Sequence, residues 1–561
     1  MTIINTLSGP IVGFHDTFPT FQSPSFDMQS NNGQQGQELP VSKWLGIPYA
    51  QATRWRRPCA VPAWTAPLEC TQFGPRFPQP TTIVDFLFNG KKGYVKRPCF
   101  ESEELGFNLN VFSPSNLENA SQLPVLVWIY GGSLEGGSSD ITLYDPTEWI
   151  RREARSGRNF IVVTGNYRCG IWGFMACQDL VETDPEGLAG NYGVYDCIAM
   201  LEWVQDNIKN FGGDPDNVTV FGESAGAFIV GALLVTQKKL FKRAILQSGA
   251  PECLTHRHVN SSLNKAYFQS LSEYFQLSKG LTSQRRIQYL KNLPTSTIME
   301  FILARGSVIN DYGLAIENSR LEISIWPKPI IQLIKEGKWN PHLESILMAH
   351  TRDEGSIFAF CFQTLSVQGY ETVLKRCPCT DRAKIDALYP SSSDTLQPAA
   401  DVDWKNCAGS RLVADQVVES PIESLALAFE GVKHDQNGNT CKIFLCELNE
   451  TIPAIDQGFD WGAFHTVDIP LIFNVKTLWE EESDQAKTSE TIGRLWVNFS
   501  HTGCPDPMWP EYSAARAPMK CFIEKGGITH FKNVNEIRSD LEKQRIQFWI
   551  DELPKIVTPC E

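Results

Sequence analysis

The sequence predicts an α/β protein with a mostly parallel central sheet flanked by helices, and three observations carry that reading. The first is a set of nearly continuous apolar runs, such as LPVLVWIYGG (123–132) and NFIVVTGNYR (159–168), which suit strands covered on both faces. The second is their alternation with stretches of helical spacing, among them GVYDCIAMLEWVQDNIKNF (193–211), where Trp203, Val204 and Ile208 share one side. The third is FGESAGAFIV (221–230), which joins the β-branched strand NVTVF (217–221) to the small-residue apolar helix AGAFIVGALLV (225–235). Gly222, Ser224 and Gly226 fall on the turn between them. A serine hydroxyl is a poor nucleophile until a strained turn lifts it clear of the backbone, beside a base and a helix N-terminus. The G-x-S-x-G spacing supplies that turn, because the flanking glycines let strand and helix approach.

Taken in order, PIVGF and KWLGIPYA (43–50) read as short strands, and the Arg/Pro/Trp-rich segment after them wraps the start of the sheet. Residues 70–103 form a polar, loop-rich excursion before the strands FNLNVFSP (107–114) and LPVLVWIYGG. GGSLEGGSSD (131–140) is a glycine-rich turn at the C-terminal end of a buried strand, a place where backbone N–H groups can face a developing oxyanion. After the serine turn, RAILQSGAP (243–251) is the next strand, ESILMAHTRDEGSIFAF (344–360) a strand, turn and helix, and CKIFLCELN (441–449) another strand. GFDWGAFHTVDIPLIFN (458–474) is a loop entering a helix, and SETIGRLWVNFSHTGCPDP (489–507) an amphipathic helix stopped by Gly503 and Pro505. No repeat or long linker divides the chain, so residues 1–561 are expected to form one domain, with helical insertions at about 252–335 and 361–437.

A net charge of −14 without any long basic run argues against nucleic-acid binding, since both partners would repel. The longest apolar region, 160–177, is interrupted by Asn166 and Arg168 and is too polar to span a bilayer. The start, MTIINTLSGPIVGFHD, has no basic segment followed by a long apolar one, so a cytoplasmic protein without a membrane anchor is expected. The sixteen cysteines lack C-x-x-C spacing and read as buried free thiols. Cys253, His256 and His258 read as a polar loop with chance histidines, and neither a metal nor a cofactor is expected.

A serine nucleophile needs a base, and a neutral imidazole is the usual one. Strand–turn–helix enzymes of this type place their partners in the order serine, acid, histidine. With an acid near 354, His434, His465, His501 and His530 are the candidates. His434 sits in a polar loop, His501 near a helix end, and His530 within ITHFKN. His465 follows a Gly/aromatic loop, from which a side chain can swing over the sheet, and is favoured. Asp353 and Glu354 compete for the acid in TRDEG, and spacing does not separate them. Glu223, beside the serine, is expected not to face the same imidazole and to tune the local field or hold water instead.

These residues resemble the type-B carboxylesterase family, cholinesterases and fungal lipases among them, over nearly the full length. The likeness rests on GIPYA (46–50), SEEL and LNVFSP within 102–114, PVLVWIYGG (124–132), GNYR (165–168), GNYGVYD (190–196), WVQDNIKNFGGDP (203–215), FGESAG (221–226), LQSGAP (246–251), RDEG (352–355) and GAFHTVDIPLIF (462–473). The resemblance implies an α/β-hydrolase fold with helical cap insertions. It makes Ser224 the nucleophile, Glu354 rather than Asp353 the acid, and His465 the base, with oxyanion donors from the N–H groups of Gly132, Ser133 and Ala225. Two departures stand out. The oxyanion loop reads Gly131-Gly132-Ser133-Leu134 where the family usually has three glycines and an aromatic residue. Phe77 and Leu105 occupy the positions of a disulfide that secreted members carry, leaving Cys70 and Cys99 as a lesser pairing. The resemblance places the segment 85–98 where cholinesterases present a cation-binding tryptophan; it has lysines and no tryptophan, which implies that choline esters are poor candidates.

The expected function is hydrolysis of a small or medium-sized carboxylic ester through an acyl-enzyme, with the ester as the only small-molecule partner implied. Acyl transfer or thioester cleavage would use the same nucleophile. A non-catalytic binding protein on this fold would typically lack the serine, and an interfacial lipase would need an apolar lid in 70–103.

Overall fold

The structure is a computed structural model that describes residues 2–16, 39–90, 100–115, 122–306, 311–318, 324–361, 371, 374, 381–390, 403–432, 434–456 and 458–557. Among them the strands are β1 (Thr2–Asn5), β2 (Pro10–Asp16), β3 (Val41–Pro48), β4 (Leu68–Glu69), β5 (Asn108–Pro114), β6 (Leu123–Ile129), β7 (Ile161–Gly165), β8 (Gly213–Glu223), β9 (Arg243–Gln247), β10 (His256–His258), β11 (Leu314–Ile316), β12 (Ser345–Thr351), β13 (Lys442–Asn449), β14 (Met519–Glu524) and β15 (Ile528–Asn533). Thirteen of them form one sheet in the order β1-β2-β3-β5-β7-β6-β8-β9-β12-β13-β14-β15, with β4 attached to β2. From β7 to β14 every neighbouring pair is parallel. The edges β1-β2-β3-β5-β7 and β14-β15 are antiparallel.

This division follows composition. The parallel strands are the continuous apolar runs: β7 and β12 are buried at every residue, and β6 at every residue but its first. The outer strands alternate or lie exposed, as in β1 and β15, because one face meets water. The helix Ala225–Leu233 is buried on all sides, which its small residues permit against β8 and β9. The helix Asp484–Thr502 begins where Ser483 accepts the Ala486 N–H and ends at Gly503 in the left-handed region, as the Gly/Pro stop predicts. It buries Leu495, Trp496 and Phe499. An aromatic cluster of Trp128, Tyr144, Phe221 and Phe473 fills the centre of the sheet's face.

Residues 252–335 contain the helices Ser262–Tyr274, Ser283–Asn292 and Thr295–Arg305, and also the parallel pair β10–β11. Three-residue strands are too short to leave a period in the sequence. The β14–β15 hairpin is likewise beyond the sequence reading, because ITHFKN pairs while almost wholly exposed. Between β12 and β13 lie the helices Arg382–Leu388, Ala408–Val413 and Ser420–Val432. A separate apolar cluster there gathers Ile385, Leu388, Tyr389 and Leu412 around Trp549 of the last helix, Asp540–Val557.

Candidate active site

β8 delivers the chain to Ser224, whose φ of 57° and ψ of −126° lie where L-residues rarely sit, a strain of about 1–3 kcal/mol. Three neighbours make that conformation obligatory. A Cβ on Gly226 would collide with the Ile129 carbonyl, one on Gly222 would stand 2.7 Å from the Gly226 backbone, and one on Gly249 would stand 2.6 Å from the Ser224 carbonyl oxygen. Ser224 donates its N–H to the Gln247 carbonyl (2.8 Å), and its own carbonyl accepts the Phe228 N–H (3.1 Å). Its flanking residues are buried while Ser224 is only partly so.

Glu354 and His465 meet at the same end of the sheet. Glu354 stands just beyond β12 and is fully buried; its Oε2 takes the His465 Nδ1 hydrogen bond at 2.6 Å. Oε1 accepts the Ser248 hydroxyl (2.6 Å) and the Thr351 N–H (2.7 Å), so the carboxylate cannot rotate away. Asp353 points elsewhere: its Oδ2 accepts the Ala463 N–H at 2.9 Å and braces the loop that carries His465. Geometry therefore separates the two acids that spacing left open. His465 is 4% exposed and packs against Phe358, ring centroids 5.0 Å apart. The other candidates, His434, His501 and His530, are all exposed.

Glu223 departs from expectation. Its Oε1 lies 3.3 Å from His465 Nε2, so it does face the imidazole, as a charge contact without hydrogen-bond alignment. Gly131 allows this, since a Cβ there would stand 2.8 Å from Glu223 Oε2. The same Cβ would stand 2.9 Å from Ser224 Cβ, which brings the glycine-rich turn directly against the serine. In that turn Gly132, Ser133 and Leu134 have φ of 115°, 58° and 62°. The N–H groups of Glu135 and Gly136 return to the Gly132 carbonyl, whereas those of Gly132 and Ser133 donate to no backbone carbonyl among the described residues. Ala225 follows Ser224 at the start of its helix.

Four ionisable groups share this pocket, all buried. Burial raises the Glu223 carboxyl to about 8, against the pull of the His465 charge. For Glu354 burial acts upward too, but the His465 charge and the hydrogen bonds from His465 and Ser248 carry it below the ordinary carboxylate value. Burial depresses His465, yet the charges of Glu223 and Glu354, with a smaller contribution from Asp468, outweigh it and bring the imidazole to about 9. Burial lifts Asp468 to about 6, helped by Glu354.

Ser248, Gln247 and Asp468 were not singled out in the sequence. The first two lie in LQSGAP and the third is three residues after His465, so motif position was the signal that would have found them. Of the other readings, His256 is buried, His258 exposed and Cys253 partly buried, and no group of three metal-type ligands occurs among the described residues. Phe77 is buried edge-on to Phe107 (4.8 Å) while Leu105 is exposed. Cys70 is a buried free thiol, and Cys99 lies outside the described residues.

A parallel sheet with a strand–serine–helix elbow at its C-terminal edge, facing a buried histidine–carboxylate pair, defines the α/β-hydrolase class. The model of the carboxylesterase family matches residues 29–549, and the chain belongs to that family, whose activity is serine-dependent hydrolysis of carboxylic esters. It is 35% identical to carboxylesterase 1D of Mus musculus over 586 aligned positions, covering 98% of this chain and 93% of that one. It is 31% identical to fumonisin B1 esterase of Sphingopyxis macrogoltabida, covering 85% and 83%. A carboxylesterase structure from Geobacillus stearothermophilus, 23% identical, superposes over 98% of this chain and all of that one with a TM-score of 0.72, and so shares the fold.

Proposed function

We propose that the chain hydrolyses small or medium-sized carboxylic esters through an acyl-enzyme on Ser224, with His465 as base and Glu354 as the acid that orients it. The observation that carries the reading is the fully buried 2.6 Å bond from His465 Nδ1 to Glu354, with Ser224 on a strained turn directly after Glu223, whose Oε1 lies 3.3 Å from His465 Nε2. His465 Nε2 takes the hydroxyl proton as Ser224 Oγ attacks the ester carbonyl. The N–H groups of Gly132, Ser133 and Ala225 hold the resulting oxyanion, His465 returns the proton to the leaving alcohol, and water activated by the same imidazole releases the acid. Glu354 keeps the imidazole in its tautomer and stabilises the imidazolium. Relatives named as esterases of fumonisin B1 and of para-nitrobenzyl esters support an ester substrate.

The test is hydrolysis of p-nitrophenyl esters of graded chain length by the wild type and Ser224→Ala. The expected result is activity highest on short and medium acyl groups and lost in the variant. Equal activity in the two proteins would overturn the proposal. Equimolar free acid and alcohol mark hydrolysis, whereas a new ester in the presence of a competing alcohol marks transfer.

We further propose that the chain works as one domain in a reducing compartment such as the cytoplasm. Every cysteine among the described residues is a free thiol, and no helix among them is long and apolar enough to cross a membrane. Cell fractionation with thiol alkylation tests this; recovery of the protein with disulfides from an oxidising compartment would contradict it.

A further inference from the structure

A buried relay joins the serine turn to the histidine segment by a route outside the triad. Ser224 donates its N–H to the carbonyl of Gln247, the last residue of β9, at 2.8 Å. The Gln247 side chain, fully buried, uses both ends of its amide: Nε2 donates to Asp468 Oδ2 at 2.7 Å, and Oε1 accepts from Trp496 Nε1 at 3.1 Å. An indole N–H only donates, so the amide oxygen must face Trp496 and the NH₂ must face Asp468. Asp468 opens the helix Asp468–Ile472, three residues after His465, and Trp496 lies within the helix Asp484–Thr502. One residue thus touches three elements: its backbone carbonyl holds the serine turn, and its side chain holds the segment after the base and the helix behind them.

Asp468 is a costly group to bury. It is 4% exposed, and among the described residues its Oδ1 has no hydrogen-bond partner. An unpaired buried carboxyl oxygen is expensive, and a well-packed apolar residue would serve stability better. Gln247 is the one side chain among the described residues that donates a hydrogen bond to it.

We propose that Asp468 and Gln247 are positioning residues, whose hydrogen bond holds the Ser224 turn in register with the His465 imidazole. The proposal rests on reading Ser224 and His465 as nucleophile and base. A different role for Asp468, as a charge acting on His465 alongside Glu223 and Glu354, makes the opposite prediction for a neutral isostere.

The experiment is a double-mutant cycle read by p-nitrophenyl ester kinetics, by the rate of fluorophosphonate labelling, and by thermal unfolding to confirm folding. Asp468→Asn keeps an oxygen that accepts the Gln247 N–H, and its kcat is expected within about twofold of wild type. Asp468→Ala and Gln247→Ala each lower kcat about tenfold with KM within about twofold, and the double variant is no worse than either single one. Loss in Asp468→Asn as deep as in Asp468→Ala, losses that multiply in the double variant, or an effect confined to KM would each overturn the proposal. Should the alanine variants not fold, the reversed pair decides. Gln247→Glu alone sets two carboxylates together and drops kcat, and adding Asp468→Asn restores it by exchanging donor and acceptor. Failure to restore activity in a folded protein overturns the proposal. Wild-type label at a residue other than Ser224 would instead overturn the triad reading beneath it.

Discussion

Ser224, Glu354 and His465 stand at positions 224, 354 and 465, and only folding makes neighbours of the last two. The buried Glu354–His465 bond is worth more than its length suggests, because a neutral amide in place of the carboxylate presents the wrong charge and permits the wrong tautomer. Glu354→Gln is therefore expected to lower kcat by about 10³–10⁴-fold with little change in KM, measured on a short-chain ester. The pH profile belongs to the same cluster. His465 must be neutral to act as base, and against the downward push of burial the charges of Glu223 and Glu354 hold it at about 9, so kcat/KM is expected to rise with pH toward that value. Glu223→Gln removes the largest of the three charges that raise the imidazole, those of Glu223, Glu354 and Asp468, so the midpoint of the rising limb moves to lower pH. A midpoint that stays in place would refute the assignment of Glu223 as the neighbour of Nε2. What the sequence left undecided here was direction rather than identity. Spacing gives Asp353 and Glu354 as adjacent residues, but only the fold turns one toward Ala463 and the other toward His465. The contact between Glu223 and His465 was illegible because it depends on the space left by Gly131, a residue far off in the chain.

At the scale of elements, the continuous apolar strands and the small-residue helix after Ser224 could be read directly, since burial on both faces leaves a compositional mark. Gly226 is the point at which helix and strand come closest. Gly226→Ala drives a methyl into the Ile129 carbonyl and is expected to cost at least about 3 kcal/mol, seen as a lower midpoint in urea or as insoluble protein. A variant of wild-type stability would mean that the helix can retreat from β6. The pair β10–β11 and the hairpin β14–β15 were illegible for the contrary reason: short or exposed strands are held by their neighbours' hydrogen bonds and need no pattern of their own.

The described residues form one large core that runs through the sheet, with a second cluster where the last helix packs on Ile385, Leu388, Tyr389 and Leu412. Trp549 joins the parts of this cluster. It is fully buried and donates to the Tyr389 hydroxyl at 2.9 Å, which in turn donates to Asp415 at 2.6 Å. Trp549→Ala is expected to cost about 3–5 kcal/mol in chemical unfolding. Phe358 packs both on this cluster and against His465, so kcat of the folded fraction is expected to fall, but by less than about tenfold, because the link is packing and not a hydrogen bond. A large fall in kcat with little loss of stability would show that the cluster governs the site rather than the fold. The central claim is that Ser224 is the residue that becomes acylated. Its most direct test is to treat the native protein with a fluorophosphonate and map the modified peptide by mass. One adduct is expected, on Ser224, formed in step with loss of esterase activity; an adduct elsewhere, or full activity in Ser224→Ala, would contradict acylation at this residue.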